Sequence, residues 1–150
     1  DSAQLLKYIG INAKRIVDFG SGAGFPALIL AILSDYQITV IESDQRKCAF
    51  MQEAVAKFKL NVNIIAARIE DVAPFNVEII TSRALAPLVG LLGYSQPFLK
   101  KDNYMLFLKG QNVVEEIKEA SIYWDFKYGL FKDAFNKEGS VLKISNLRRL

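Results

Sequence analysis

Short apolar runs alternate with amphipathic stretches along most of this chain. Residues 15–19 (Arg-Ile-Val-Asp-Phe) predict a buried strand, and residues 25–33 a helix with Pro26 in its first turn, where a missing N–H is harmless. Residues 37–42 (Gln-Ile-Thr-Val-Ile-Glu) are β-branched and predict a second strand. Asp44 then has the place of an N-cap, with Ala49, Phe50, Ala54, Val55 and Phe58 following at helical spacing. Further strands are predicted at 62–66, 77–81 and 103–108. Between the last two, a helix is predicted from Pro87 to about Leu92, ending near Pro97-Phe98. Residues 112–122 predict a charged helix with Val113, Val114 and Ile117 inside, and the β-rich runs 126–131 and 140–145 a terminal hairpin turning at Asn136-Lys137-Glu138-Gly139.

Five strands alternating with helices imply a parallel sheet covered on both faces. The appended hairpin adds an antiparallel edge. The expected fold is therefore α/β: a doubly wound, mostly parallel seven-stranded sheet, Rossmann-like, in one domain over residues 1–150. No repeat, linker or low-complexity segment interrupts it. The opening Asp1-Ser2 before Leu5, Leu6 and Ile9 reads as a helix cap already inside a fold, with an N-terminal piece removed.

In such a sheet, ligands bind beyond the carboxyl ends of the strands, where strand order reverses. The turn placed there is Gly20-Ser21-Gly22-Ala23-Gly24. Three alternate glycines are more than a tight turn needs, and they let a ligand approach the main chain closely. Glu42 ends the next strand, 18 residues beyond Gly24, where a carboxylate can accept hydrogen bonds from ribose hydroxyls. The dinucleotide fingerprint is G-x-G-x-x-G; here the spacing is G-x-G-x-G, with Phe25 at the last fingerprint position and Asp18 before the loop. A carboxylate beside the loop suits the sulfonium and ammonium of S-adenosyl-L-methionine (S-adenosylmethionine) better than a pyrophosphate. Arg68-Ile69-Glu70-Asp71 follows the third strand, either flanking a nucleoside base or forming a solvated acidic turn; spacing does not choose between them.

Composition narrows the chemistry. The chain has no histidine and one cysteine, Cys48. An internal disulfide, a Cys/His zinc site and a histidine base are all excluded. A lone thiol fits a reducing cytoplasm. The net charge of +3 permits a nucleic-acid partner without arguing for one. No apolar run reaches the roughly 18 residues of a membrane helix.

The fourth strand ends in Thr81-Ser82-Arg83-Ala84, at the position that faces the reacting group. It lacks the Asp/Asn-Pro-Pro-aromatic motif of enzymes that methylate exocyclic amines. Cys48 stands mid-helix, out of place for the nucleophile of pyrimidine carbon-5 methylation and suited to a small core residue. An acceptor that is already nucleophilic, such as guanine N7, needs orientation but no base. Arg83 could bind a phosphate or a guanine O6 edge, or pair with Glu70, Asp71 or Glu78. Lys109-Gly110 ends the fifth strand as a substrate contact or a solvated turn; Lys100-Lys101 and Arg148-Arg149 read as surface charge.

Together, Asp18 to Pro26, Glu42-Ser43 with Arg46-Lys47, Arg68-Ile69-Glu70-Asp71, Thr81-Ser82-Arg83-Ala84 and Leu108-Lys109-Gly110 resemble the RsmG (GidB) family over nearly the whole chain. That family comprises class I S-adenosylmethionine methyltransferases of bacteria that act on guanine N7 in the 530-loop region of small-subunit ribosomal RNA. The resemblance implies cofactor contacts at Gly20, Phe25, Ile69, Glu70 and Arg83, joining Asp18, Gly22, Gly24 and Glu42. From their place at the strand ends, Arg83 is the expected catalytic residue, with Ser82, Arg83 and Lys109 expected on the substrate side. Ala27 departs from the glycine that usually follows the loop proline, and by this resemblance the family's N-terminal helical segment is expected to be missing from the sequence. The implied partner is small-subunit ribosomal RNA or the 30S subunit, met by a cytoplasmic monomer without metal or membrane. A methyltransferase acting on a small molecule or protein, and a non-catalytic cofactor-binding assembly factor, are the alternatives.

Overall fold

The computed structural model describes residues 2–10, 15–20, 25–83, 86–132 and 139–150. One seven-stranded sheet organises them. The strands are β1 (Arg15–Phe19), β2 (Gln37–Glu42), β3 (Val62–Ala66), β4 (Ile79–Arg83), β5 (Tyr104–Lys109), β6 (Trp124–Lys132) and β7 (Ser140–Arg149). Their order is β3-β2-β1-β4-β5-β7-β6; the first five are parallel, and β7 and β6 run antiparallel at the edge. The helices are α1 (Phe25–Leu33), α2 (Gln45–Phe58), α3 (Leu88–Ser95) and α4 (Val113–Ala120).

Side chains alternate across a strand, so each buried strand feeds two cores. Ile16, Ile38, Val40, Ile79 and Leu106 pack on one face with α1 and α2. Val17, Phe19, Ile41, Ile80 and Phe107 pack on the other with α3 and α4. Ala27, where the resemblance expects glycine, is fully buried in the first of these cores, so its methyl serves helix–sheet packing.

The expected elements are present, with shifts of physical origin. β4 runs over 79–83 rather than 77–81. Polarity pointed to a strand end at Thr81, yet the Thr81 hydroxyl donates to Asp18 and the Ser82 hydroxyl to the Phe19 carbonyl, so both continue the ladder while buried. α2 is capped by Asp44 as expected, its carboxylate accepting from the Arg46 and Lys47 amides. Its inner face is Cys48 and Met51 with Ala54 and Val55 half-buried; Phe50 and Phe58 are exposed. In α4, Val113, Ile117 and Ala120 point inward and Val114 is exposed, because the i, i+4, i+7 stripe passes it by.

α3 runs to Ser95 before a 3₁₀ turn at Gln96–Phe98. The opening segment Ser2–Tyr8 is a 3₁₀ helix that buries Leu5; Asp1 lies outside the described residues. The hairpin strands are longer than expected, and its turn at Asn136-Lys137-Glu138 also lies outside the described residues. Arg148 pairs with Asp125 across the two strands at 3.0 Å.

Candidate functional site

Because β1 to β5 are parallel, their carboxyl ends share one rim. Gly20, Glu42, Arg83 and Lys109 all stand there, and strand order reverses between β1 and its neighbours β2 and β4. Gly20 has φ 53°, a left-handed angle that favours glycine, and its amide donates to the Ile41 carbonyl at 2.7 Å. The chain thus turns away from β1 directly beside the end of β2. Gly22 and Gly24 lie outside the described residues, as does Ala84; Phe25 opens α1.

A cleft of about 260 Å³ opens at this point, lined in part by Gly20, Glu42, Ile69, Glu70, Ala86 and Tyr94. Glu42 is only 6% exposed, and its Oε2 accepts from the Asp44 amide at 2.9 Å. That bond orients the carboxylate at the mouth of the cleft. Across from it, the 3₁₀ turn Ile69–Asp71 supplies a half-buried apolar wall in Ile69 and an exposed carboxylate in Glu70, which pairs loosely with Arg68 at 3.9 Å. A larger cleft of about 460 Å³, with Lys100, Lys101 and Lys143 on its walls, opens at the opposite end of β5, away from these residues.

Three predicted site residues are engaged within the fold. Asp18 is fully buried, and its Oδ1 accepts the Thr81 hydroxyl, so it ties β1 to β4. Ser82, expected on the substrate side, is also fully buried, with its hydroxyl held 3.0 Å from the Phe19 carbonyl. Lys109 is neither a solvated turn lysine nor a side chain presented to a substrate: its side chain is 2% exposed and its Nζ lies 2.7 Å from Glu116. Arg83, by contrast, is exposed, and no ion pair holds it among the described residues. Glu78, one of its candidate partners, pairs with Arg15 instead.

Cys48 is a core residue, as its place in the helix implies. Burial pushes its thiol pKa up, with the nearby Glu42 and Asp44 carboxylates adding to the rise, and its Sγ contacts the Glu42 carbonyl at 3.3 Å. A thiol held protonated is a poor nucleophile. Two residues escaped the reading of the sequence. Tyr94 sits late in α3 with no motif around it, and Glu116 lies in a helix that reads as surface charge.

The donor set fits a nucleoside-bearing cofactor: a buried carboxylate for ribose hydroxyls, an apolar wall and an aromatic ring for a purine, and a left-handed glycine at the turn. The family model described as rRNA small subunit methyltransferase G, GidB, matches residues 1–139. The chain belongs to the GidB family. It is 45% identical over 150 residues to a ribosomal RNA small subunit methyltransferase G of Gluconobacter oxydans, covering all of this chain and 77% of that protein. A protein of the same name from Paramagnetospirillum magneticum is 40% identical, over 99% of this chain and 73% of its own length. Among solved structures, a ribosomal protein L11 methylase from Lactobacillus delbrueckii superposes with TM-score 0.78 at 14% identity, over 96% of this chain and 75% of that one. The glycopeptide N-methyltransferase MtfA, complexed with S-adenosyl-L-methionine, does so at 0.75 and 9%, over 95% and 91%. These two likenesses speak to the fold alone. Membership of the GidB family makes the chain an S-adenosylmethionine-dependent methyltransferase. Among the described residues, no helix is long and apolar enough to cross a membrane.

Proposed function

We propose that this GidB-family chain methylates N7 of a guanine in the 530-loop region of bacterial small-subunit ribosomal RNA, either in free RNA or in the 30S subunit. The observation that carries the reading is an exposed Arg83, in no ion pair among the described residues, at the end of β4 on the rim that holds the cleft, in a chain with no histidine.

When bound, S-adenosylmethionine supplies an electrophilic methyl group. Glu42 would take the ribose hydroxyls, Gly20 would allow close approach of the main chain, and Ile69, Glu70 and Tyr94 would bound the base. Guanine N7 carries a lone pair and no proton, so the chain need not supply a base. What it must supply is orientation, which contributes roughly 7–11 kcal/mol in well-aligned reactions. Arg83 is placed for that role, by a forked contact to the guanine O6 edge or to a neighbouring phosphate. We read the enzyme as a single-domain cytoplasmic monomer that uses no metal.

Transfer of radiolabelled methyl to naked ribosomal RNA, to 30S subunits and to protein and metabolite fractions tests the reading. Label is expected in RNA, with borohydride–aniline cleavage mapping it to a guanine N7 in that loop. Label confined to protein or metabolites overturns it, and cofactor binding without any turnover supports the assembly-factor alternative instead.

A further inference from the structure

The end of β5 carries a polar cluster that the proposed chemistry does not use. Lys109 Nζ lies 2.7 Å from Glu116 Oε1 on α4, and also donates to the Ala86 carbonyl at 3.4 Å. The same Glu116 oxygen accepts from the Leu88 amide at 3.0 Å. The three contacts hold the chain on both sides of Pro87, which occupies the N-cap position of α3 and has no side-chain acceptor of its own. The missing cap is thus supplied from another helix, 28 residues further along. The Lys109 side chain is 2% exposed and that of Glu116 21%, so the pair is shielded from water and little screened by salt.

What this cluster holds is one wall of the cofactor cleft. Ala86 lines the cleft directly, and α3 carries Tyr94 to it. We propose that Lys109 and Glu116 form a buried clamp that positions Ala86 and α3, and thereby Tyr94, against the cofactor. Lys109 is then a positioning residue rather than a substrate contact, and Glu116 an unassigned second member. The inference rests on the reading of this cleft as the cofactor site.

Removing one member leaves the other's charge shielded from water without its counter-ion. Lys109→Met and Glu116→Leu should each weaken S-adenosylmethionine and S-adenosylhomocysteine binding by about three- to tenfold in isothermal titration, while the KM for RNA stays within about twofold. Their effects should not multiply in the double variant, because both break one connection. Glu116→Gln keeps an oxygen for the Leu88 amide and should retain most of the affinity. Glu42→Gln serves as the reference for the cleft. Loss of affinity there, with none in the folded clamp variants, overturns the clamp; no loss in either overturns the assignment of the cleft and the clamp with it. Losses that multiply in the double variant also overturn it, as does a raised KM for RNA in Lys109→Met with Glu116→Leu silent, the pattern of direct substrate contact. Circular dichroism checks folding. Should Lys109→Met or Glu116→Leu not fold at the assay temperature, Glu116→Gln and Lys109→Arg decide: the first near parental affinity with the second weakened supports the clamp, since a guanidinium cannot occupy an ammonium's site unchanged, and parental affinity in both overturns it.

Discussion

Two cations end neighbouring parallel strands, and the fold uses them in opposite ways. Arg83 closes β4 and is exposed; Lys109 closes β5 and is buried on Glu116. The difference follows from register. Arg83 pairs with Leu108, so Lys109 stands one residue further and turns to the opposite face of the sheet. That face belongs to α3 and α4, where a carboxylate waits; Leu108 packs into the other core with Ile79 and Leu106. One residue of offset separates a side chain free to meet a substrate from one that holds the scaffold.

The sharpest way to break this contrast is to remove each cation in turn. Arg83→Ala should lower methyl transfer by about 100-fold or more, the scale on which misplacement of reacting groups acts, while the thermal midpoint scarcely moves. Lys109→Met should do the reverse on stability. Breaking a buried pair costs roughly 3–5 kcal/mol, and at about 2–4 °C per kcal/mol for a chain of this size the midpoint falls by on the order of 10 °C. Equal melting losses in the two variants would erase the distinction.

Glu42→Gln probes the opposite side of the cleft from the clamp. Its hydrogen bonds to ribose hydroxyls would be charge-assisted, worth about 1.5–3 kcal/mol together with their desolvation, so cofactor affinity should fall by about ten- to a hundredfold. Unchanged affinity by calorimetry would remove Glu42 from the site. Tyr94→Ala should cost less, about three- to tenfold, from an aromatic contact worth roughly 0.5–1.5 kcal/mol, and Tyr94→Phe should cost nothing if the ring and not the hydroxyl is used.

The smallest effect concerns Cys48, the titratable group packed behind Glu42. Its raised pKa means that the folded chain holds the proton more tightly than the unfolded chain. The stability this contributes is complete below the ordinary thiol value and is lost as pH rises from there through the folded value. Cys48→Ala should therefore flatten the alkaline decline of stability relative to the parent. Tyr104, raised mainly by burial, acts with the same sign in both proteins and cancels in the comparison. Iodoacetamide should label Cys48 slowly in the folded chain and readily in denaturant; fast labelling of the native protein would contradict its burial.

Local pattern was enough for the elements that carry the cleft. The β-branched run 37–42, the Asp44 cap and the left-handed turn at Gly20 are encoded in neighbours along the chain, and Glu42 could be placed from them. The Ile69-Glu70 turn was legible as a candidate, though only the structure shows that both residues line a cleft. Tyr94 carried no local signal, because a single aromatic in a helix is equally suited to a core, a surface or a ligand.

The sequence by itself determined the alternation of strands and helices, the missing histidine that removes a whole class of bases, and the glycine-and-acid spacing that favours S-adenosylmethionine over a dinucleotide. Only the tertiary structure decided which polar side chains on the rim are free. Asp18, Ser82 and Lys109 looked as available as Arg83, yet each is engaged by a group on another element: Thr81, Phe19 and Glu116. A polar side chain's availability depends on whether burial has already demanded a partner for it, and that partner is chosen by strand register and helix packing rather than by its neighbours along the chain.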